Sequence, residues 1–327
     1  MLHVLDIPQA NNIAQTALGV HLGQRYMQDT PDLPTAAYID ENDDAIPLIK
    51  LSAPLDYQNY MQRIHDESQS FHDFSYSPED DDAKMLNRIL QQVRDQATQL
   101  LERPINITSL ALPREIGTLE HDYLVEAISE CEATPAKYGW QFREFLYNAQ
   151  LAYGLNTCEA LGIPEPTEGC DLDEEEPAIL FVDYGQGGVL NLYAGIVNEY
   201  AVHAGNYRDP WHVEIKVDAQ EENIKDLQSI FEDFIQKQVV ARDEVQDPRA
   251  IIISGDASEA EIENLKQALH LALPEDWKCL VRDQVDPFWV GAVGAARRAK
   301  LHVVDSRYDI GEYEEWLQSI PREHDEL

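Results

Sequence analysis

Ala178–Leu192, AILFVDYGQGGVLNL, is the stretch on which the fold turns. Five apolar residues in a row, Ala178 to Val182, predict a strand buried on both faces, and it ends on the carboxylate of Asp183. Gly185-Gln186-Gly187-Gly188 turns the chain, and Val189 to Val197 predicts the returning strand. The turn has two readings. A glycine-rich turn lets backbone N–H groups approach an anion closely, with the carboxylate left to hold a metal or a water. The same turn also serves as a plain hairpin in which glycine supplies only a positive φ.

Outward from that segment, Ala250 to Ser254 (AIIIS) predicts a second buried strand, ending at Gly255 and leading into a helix over Glu259–Leu273. An amphipathic helix is predicted over Glu221–Val240. Toward the N-terminus, Gln15 to Leu22 and Thr35 to Asp40 read as strands. Ala83 to Leu101 places Met85, Leu86, Ile89, Leu90, Val93, Ala97, Leu100 and Leu101 at helical spacing. A strand over Ile105–Ala111 and helices over His121–Glu132 and Tyr138–Leu155 complete the first half. Strands followed by helices, twice over, predict an α/β protein with two related halves. The proline-rich, acidic stretch Gly162–Pro177 reads as the connection, giving lobes over residues 1–165 and 166–327.

The chain has 327 residues, with Lys+Arg 24 against Asp+Glu 61 and a formal net charge of -37. That balance argues against binding nucleic acid or an anionic membrane, which needs a basic face. Hydrophobic residues make up 44%, enough for a sizeable core rather than a disordered chain. Cys131, Cys158, Cys170 and Cys279 form no CxxC pair and are expected to be reduced thiols. No apolar run approaches the ~20 residues of a membrane span, and Met1–Ala10 lacks the features of a signal peptide. The expected location is therefore cytoplasmic, although His324-Asp325-Glu326-Leu327 spells an endoplasmic-reticulum retention signal. Glu79-Asp80-Asp81-Asp82 reads as a charge complement to a helix N-terminus, or as an acidic motif that recruits Mg²⁺ to a diphosphate. His65, His72, His203 and His212 have no ligand-like spacing, which argues against zinc.

Five segments in order resemble the actin-like ATPase superfamily, specifically the nucleotide-binding domain of the seventy-kilodalton heat-shock chaperones. Ala178–Leu192 is similar to that family's second phosphate loop, Gln150–Leu155 (QLAYGL) to its first connecting helix, and Ile251–Ser258 (IIISGDAS) to its adenosine loop. Asp286–Ala296 (DPFWVGAVGAA) resembles the second connecting helix, rich in Gly and Ala so that two helices cross closely. Leu18–Tyr26 (LGVHLGQRY) stands where the first phosphate loop belongs. The resemblance implies a duplicated mixed sheet with flanking helices and a central ligand cleft, without the chaperone's peptide-binding domain. It implies ATP or ADP with Mg²⁺ as ligands. It assigns phosphate contacts to Gly19, His21, Gly23, Gln24, Arg25, Gly185, Gln186, Gly187 and Gly188, adenosine contacts to Gly255, Asp256 and Ser258, and the metal and any catalysis to Asp183.

The departures from the family pattern bear on activity. His21 replaces a metal-side carboxylate, and Gln24 and Arg25 replace two threonines. The family's catalytic-side Glu falls near Glu144 or Phe145, and the register favours Phe145, which cannot polarise water. Asp256 replaces a glycine of the adenosine loop. The expectation is a nucleotide- or ligand-binding scaffold or regulator with little or no hydrolysis, with a protein partner among its possible ligands. The alternatives are an enzyme that has reused the cleft for a phosphate- or diphosphate-bearing metabolite, and an active Mg²⁺-dependent ATPase.

Overall fold

The structure is a computed structural model, and it describes residues 18–22, 34–40, 42–52, 54–60, 80–112, 142–164, 171–186, 188–198, 202–206, 209–217, 224–242 and 248–304. Two mixed sheets are built in chain order. The first contains β1 (Leu18–His21), β2 (Thr35–Ile39), β3 (Ala45–Lys50), β4 (Ile107–Leu112) and β5 (Phe142–Glu144), in the order β3-β2-β1-β4-β5. Helix α1 (Asp80–Leu101) lies between β3 and β4, and α2 (Phe145–Ala152) leaves β5 directly. The second begins with β6 (Ala178–Gly185) and β7 (Val189–Val197). The two-residue strands β8 (Val202–His203), β9 (Gly205–Asn206) and β10 (Asp209–Pro210) precede β11 (His212–Lys216). After α3 (Ile224–Ile235) come β12 (Pro248–Ser254), α4 (Glu259–Ala272), β13 (Val281–Arg282) and α5 (Val290–Val304).

The second sheet runs β11-β7-β6-β12-β13, with β8 paired on β7. In each sheet the first three strands of the order are antiparallel neighbours, and the last two are parallel to the central strand and to each other. Order and strand sense thus repeat between the halves. The repeat is one of topology, since the sequence has no matching self-similarity.

Alternation along the strands creates three cores. Leu18, Val20, Ile107 and Leu112 face α1, whose Met85, Leu86, Ile89, Leu90, Val93 and Ala97 close the outer side of the first sheet. Ala178, Leu180, Val182, Tyr184, Ile251 and Ile253 face α3 and α4 on the outer side of the second. Between them, Ile179, Phe181, Tyr193, Ala250 and Ile252 share a third core with α2 and α5. β6 is therefore covered on both faces, which is why its sequence is apolar without a period of two.

Helix α5 follows the last strand of the second sheet yet lies across β1, β2 and β4 of the first. Helix α2 follows the last strand of the first sheet and shares its core with the inner face of the second. Each half thus lends its terminal helix to the other's sheet. At Gly19 an added Cβ would stand 2.0 Å from the backbone N of Ala296, so this glycine is the space through which α5 crosses β1.

Four expectations need correcting. The helix predicted over Tyr138–Leu155 is strand β5 followed by α2, all eight residues of which are buried. A segment apolar on every side has no periodicity to separate strand from helix. The helix predicted to run through Val240 is α-helical only to Ile235, and Gln236–Val240 forms a π-helical turn. The connecting helix predicted from Asp286 starts at Val290, because the Asp286 carboxylate accepts from the Phe288 N–H (3.0 Å) and sets a 3₁₀ turn over Pro287–Trp289 first. Finally, Cys158 is disulfide-bonded, while Cys279 is free and exposed, so the thiols are not all reduced. Sequence spacing does not report the Cα separation that a disulfide requires. Helix α1 begins at Asp80, within the acidic run of the sequence. Among the described residues no helix is long and apolar enough to cross a membrane. The segment His121–Glu132, His65, His72 and the His324–Leu327 tail lie outside the described residues.

Candidate functional site

The inner face of the second sheet turns polar at one end. Beyond Ile179 and Phe181, the next residue of β6 on that face is Asp183, which is registered opposite Asn191 on β7 and Ser254 on β12. All three are buried. The Ser254 hydroxyl donates to Asp183 Oδ1 at 2.9 Å. His212 Nε2 lies 3.2 Å from Asn191 Oδ1, and its ring stacks on Tyr193 at a centroid distance of 4.4 Å. An Nε2–H tautomer lets the imidazole donate to the amide oxygen. His212, Asn191, Asp183 and Ser254 therefore form one polar row across four strands. A buried carboxylate persists only where donors meet it, and the Ser254 hydroxyl is one such donor. Replacing it by alanine should cost about 1–3 kcal/mol of stability, read as a lower urea midpoint at unchanged m-value.

The turn after Asp183 is a tight hairpin. Gly185 pairs with Val189, the Gly188 N–H donates to the Gly185 carbonyl at 3.1 Å, and Gly188 has φ 78°. This is a turn closed by a left-handed residue, a conformation that favours glycine. The second turn amide, that of Gln186, donates to Asp256 Oδ1 at 2.9 Å. Both amides thus already have protein acceptors. Gly187 lies outside the described residues.

The loop after β12 is pressed against that hairpin. Gly255 has φ 123°, and an added Cβ would stand 1.9 Å from the Tyr184 carbonyl oxygen. Its N–H donates to the Pro287 carbonyl at 3.1 Å, and the Ala257 N–H donates to the Tyr184 carbonyl at 3.1 Å. Ser258 is the N-cap of α4 in a reciprocal capping box with Glu261. Its hydroxyl is therefore committed to the helix end.

In the first sheet His21 occupies the position that Asp183 holds in the second. It ends the inner face of the central strand, opposite Thr35 on β2 and Ala111 on β4. Its ring lies 5.3 Å from that of Phe145, the first residue of α2. A Cβ on Gly291, in the first turn of α5, would meet His21 Nδ1 at 2.5 Å. The imidazole is therefore wedged between the starts of α2 and α5. Glu144 is exposed at the N-cap of α2, and its carbonyl accepts from Asn148 Nδ2 at 2.8 Å. Gly23, Gln24 and Arg25 lie outside the described residues.

A hydrated Mg²⁺ needs near-octahedral oxygen ligands and room for several waters. Among the described residues the two symmetry-related positions offer one buried carboxylate, already bonded to a hydroxyl, and one imidazole against an aromatic ring. Of the two, Asp183 would be the residue that holds such an ion, since Mg²⁺ is bound through one or two carboxylates together with substrate phosphates and waters. No protein-family model matches the sequence, and no curated protein matches it. Asn191, Ser254 and Gly291 lie inside segments singled out in the sequence but were given no role there, and His212 was considered only as a metal ligand. Only the strand registers and the placement of α5 bring them to the site.

Proposed function

We propose that this chain has a two-lobed, actin-like ATPase fold with a ligand cleft between the sheets, and that it works as a binding scaffold or regulator with little or no ATP hydrolysis. The observation that carries the reading is the repeated strand order with reciprocally lent helices, combined with His21 at the position equivalent to Asp183. A fold of that kind aims the ends of both central strands at one ligand. Here one of them presents an imidazole packed on Phe145 instead of a carboxylate. Losing a metal-side carboxylate and a water-polarising side chain, at ~10²-fold each, lowers turnover by about four orders of magnitude. The ligand class that best suits the Asp183–Gly188 hairpin is a phosphate-bearing small molecule, nucleotide or other metabolite.

Phosphate release from ATP with Mg²⁺ should stay at the level of a heat-inactivated control. Steady turnover that disappears in Asp183→Asn would instead establish an active ATPase. A native mass spectrum of the purified protein reads the ligand directly, because a nucleotide and another phosphorylated metabolite differ in mass.

A further inference from the structure

We infer that the Asp256 carboxylate is a built-in anion that occupies the hairpin of the candidate phosphate site and competes with an external phosphate for it. The inference rests on the proposal that this cleft takes a phosphate-bearing ligand. Three contacts place Asp256 there. Its Oδ1 accepts the Gln186 N–H at 2.9 Å, across 70 residues of sequence. The neighbouring Ala257 N–H holds the Tyr184 carbonyl at 3.1 Å, and Gly255 packs on that same carbonyl so tightly that no Cβ fits. The loop is thereby fixed on both sides of Asp256, and the carboxylate is held against the turn.

A backbone N–H in a glycine-rich turn makes the same charge-assisted bond to a carboxylate oxygen as to a phosphate oxygen. An internal carboxylate is present at a high effective concentration, and it also repels an incoming anion. At the α4 N-terminus nearby, Ser258 and Glu261 already satisfy each other's backbone amides. The Gly188 N–H is likewise committed within the turn. Of the described turn amides, Gln186 is the one whose partner is a side chain, and so the one that a substitution releases without breaking the hairpin.

The test compares the full chain with Asp256→Ala, Asp256→Asn and the charge control Glu259→Gln, an exposed residue in the first turn of α4. Amide exchange of the peptide spanning Val182–Leu190 is followed by mass spectrometry, and binding of tripolyphosphate and of ATP by calorimetry. In Asp256→Ala the hairpin should exchange faster and both anions should bind at least about tenfold more tightly, the size expected for a freed charge-assisted bond. Asp256→Asn should gain less, because its amide oxygen still accepts from Gln186. Glu259→Gln should change neither measurement. Unchanged exchange in Asp256→Ala, or equal affinity in wild type and Asp256→Ala, overturns the inference, as does an equal gain in Glu259→Gln. Faster exchange with no anion bound by any variant keeps the latch between the loops but removes the phosphate-ligand reading.

Discussion

Gly294→Val should leave no cooperatively folded protein, and Gly294→Ala should cost about 3 kcal/mol or more. An ideal Cβ at Gly294 would stand 1.7 Å from the carbonyl oxygen of Asn148 and 2.4 Å from its carbon. Both are backbone atoms of α2, so no rotamer change relieves the overlap. The helices must separate, and between them lies the shared core of Phe145, Leu146, Ala149, Val290 and Val293. Overpacking a well-packed site typically costs 1–3 kcal/mol. A clash with backbone at a buried crossing belongs at or above the top of that range, against a total stability of roughly 5–15 kcal/mol. Gly162 provides the contrast: it has φ 64° but no atom within 4 Å of an added Cβ. Gly162→Ala pays only for its backbone conformation, about 1–2 kcal/mol. Urea unfolding of both variants separates the two causes, and a Gly294→Ala protein as stable as wild type would mean that α2 and α5 do not cross this tightly.

The legibility of this fold in its sequence follows burial. β6 and β12 were visible as the unbroken apolar runs Ala178–Val182 and Ala250–Ile253, because cores press on both faces of each strand. Helix α1 was visible because only one side of it is buried, which leaves Met85, Leu86, Ile89, Leu90 and Val93 at helical spacing. The β5–α2 boundary was not visible, since Phe145–Ala152 is enclosed on all sides and polar residues there no longer mark a solvent face. Asn148 and Gln150 show this: both are wholly buried and donate to backbone carbonyls of Glu144 and Leu155.

The site was legible only in part, for a related reason. Asp183 closes a recognisable apolar run, two residues before β6 itself ends at Gly185, so its position could be read locally. That Ser254 bonds it, and that His212 reaches Asn191, depends on the registers of β12 and β11 against strands distant in sequence. His21 could be placed at a strand end, but Phe145 and Gly291, which enclose it, arrive from the two lent helices. Gly19, singled out as a phosphate-loop glycine, sits inside β1 where α5 crosses. A glycine chosen for helix packing and one chosen for ligand approach look identical until the helix is in place.

Arg298 gives that exchange of helices its strongest test. The residue lies on α5 and is 1% exposed, a rare state for a guanidinium. Its Nε donates to Ser109 Oγ at 2.8 Å and its Nη2 to the Leu110 carbonyl at 2.6 Å, both on β4 of the first sheet. Arg298→Leu keeps apolar bulk but strips donors from a buried hydroxyl and a buried carbonyl. With bonds to charged groups worth ~1.5–3 kcal/mol each, the loss should be about 3 kcal/mol or more. Arg298→Lys should recover only part of it, since an ammonium lacks the planar fork that reaches two acceptors at once. The location of the damage matters as much as its size. α5 is the chain continuation of the second half, yet Arg298 secures it to the first sheet. Amide exchange in Arg298→Leu should therefore rise at β1 and β4 before it rises at β6 and β12. Equal loosening of both sheets, or a variant within about 0.5 kcal/mol of wild type, would show that the lent helix is held by its alanine and glycine packing alone.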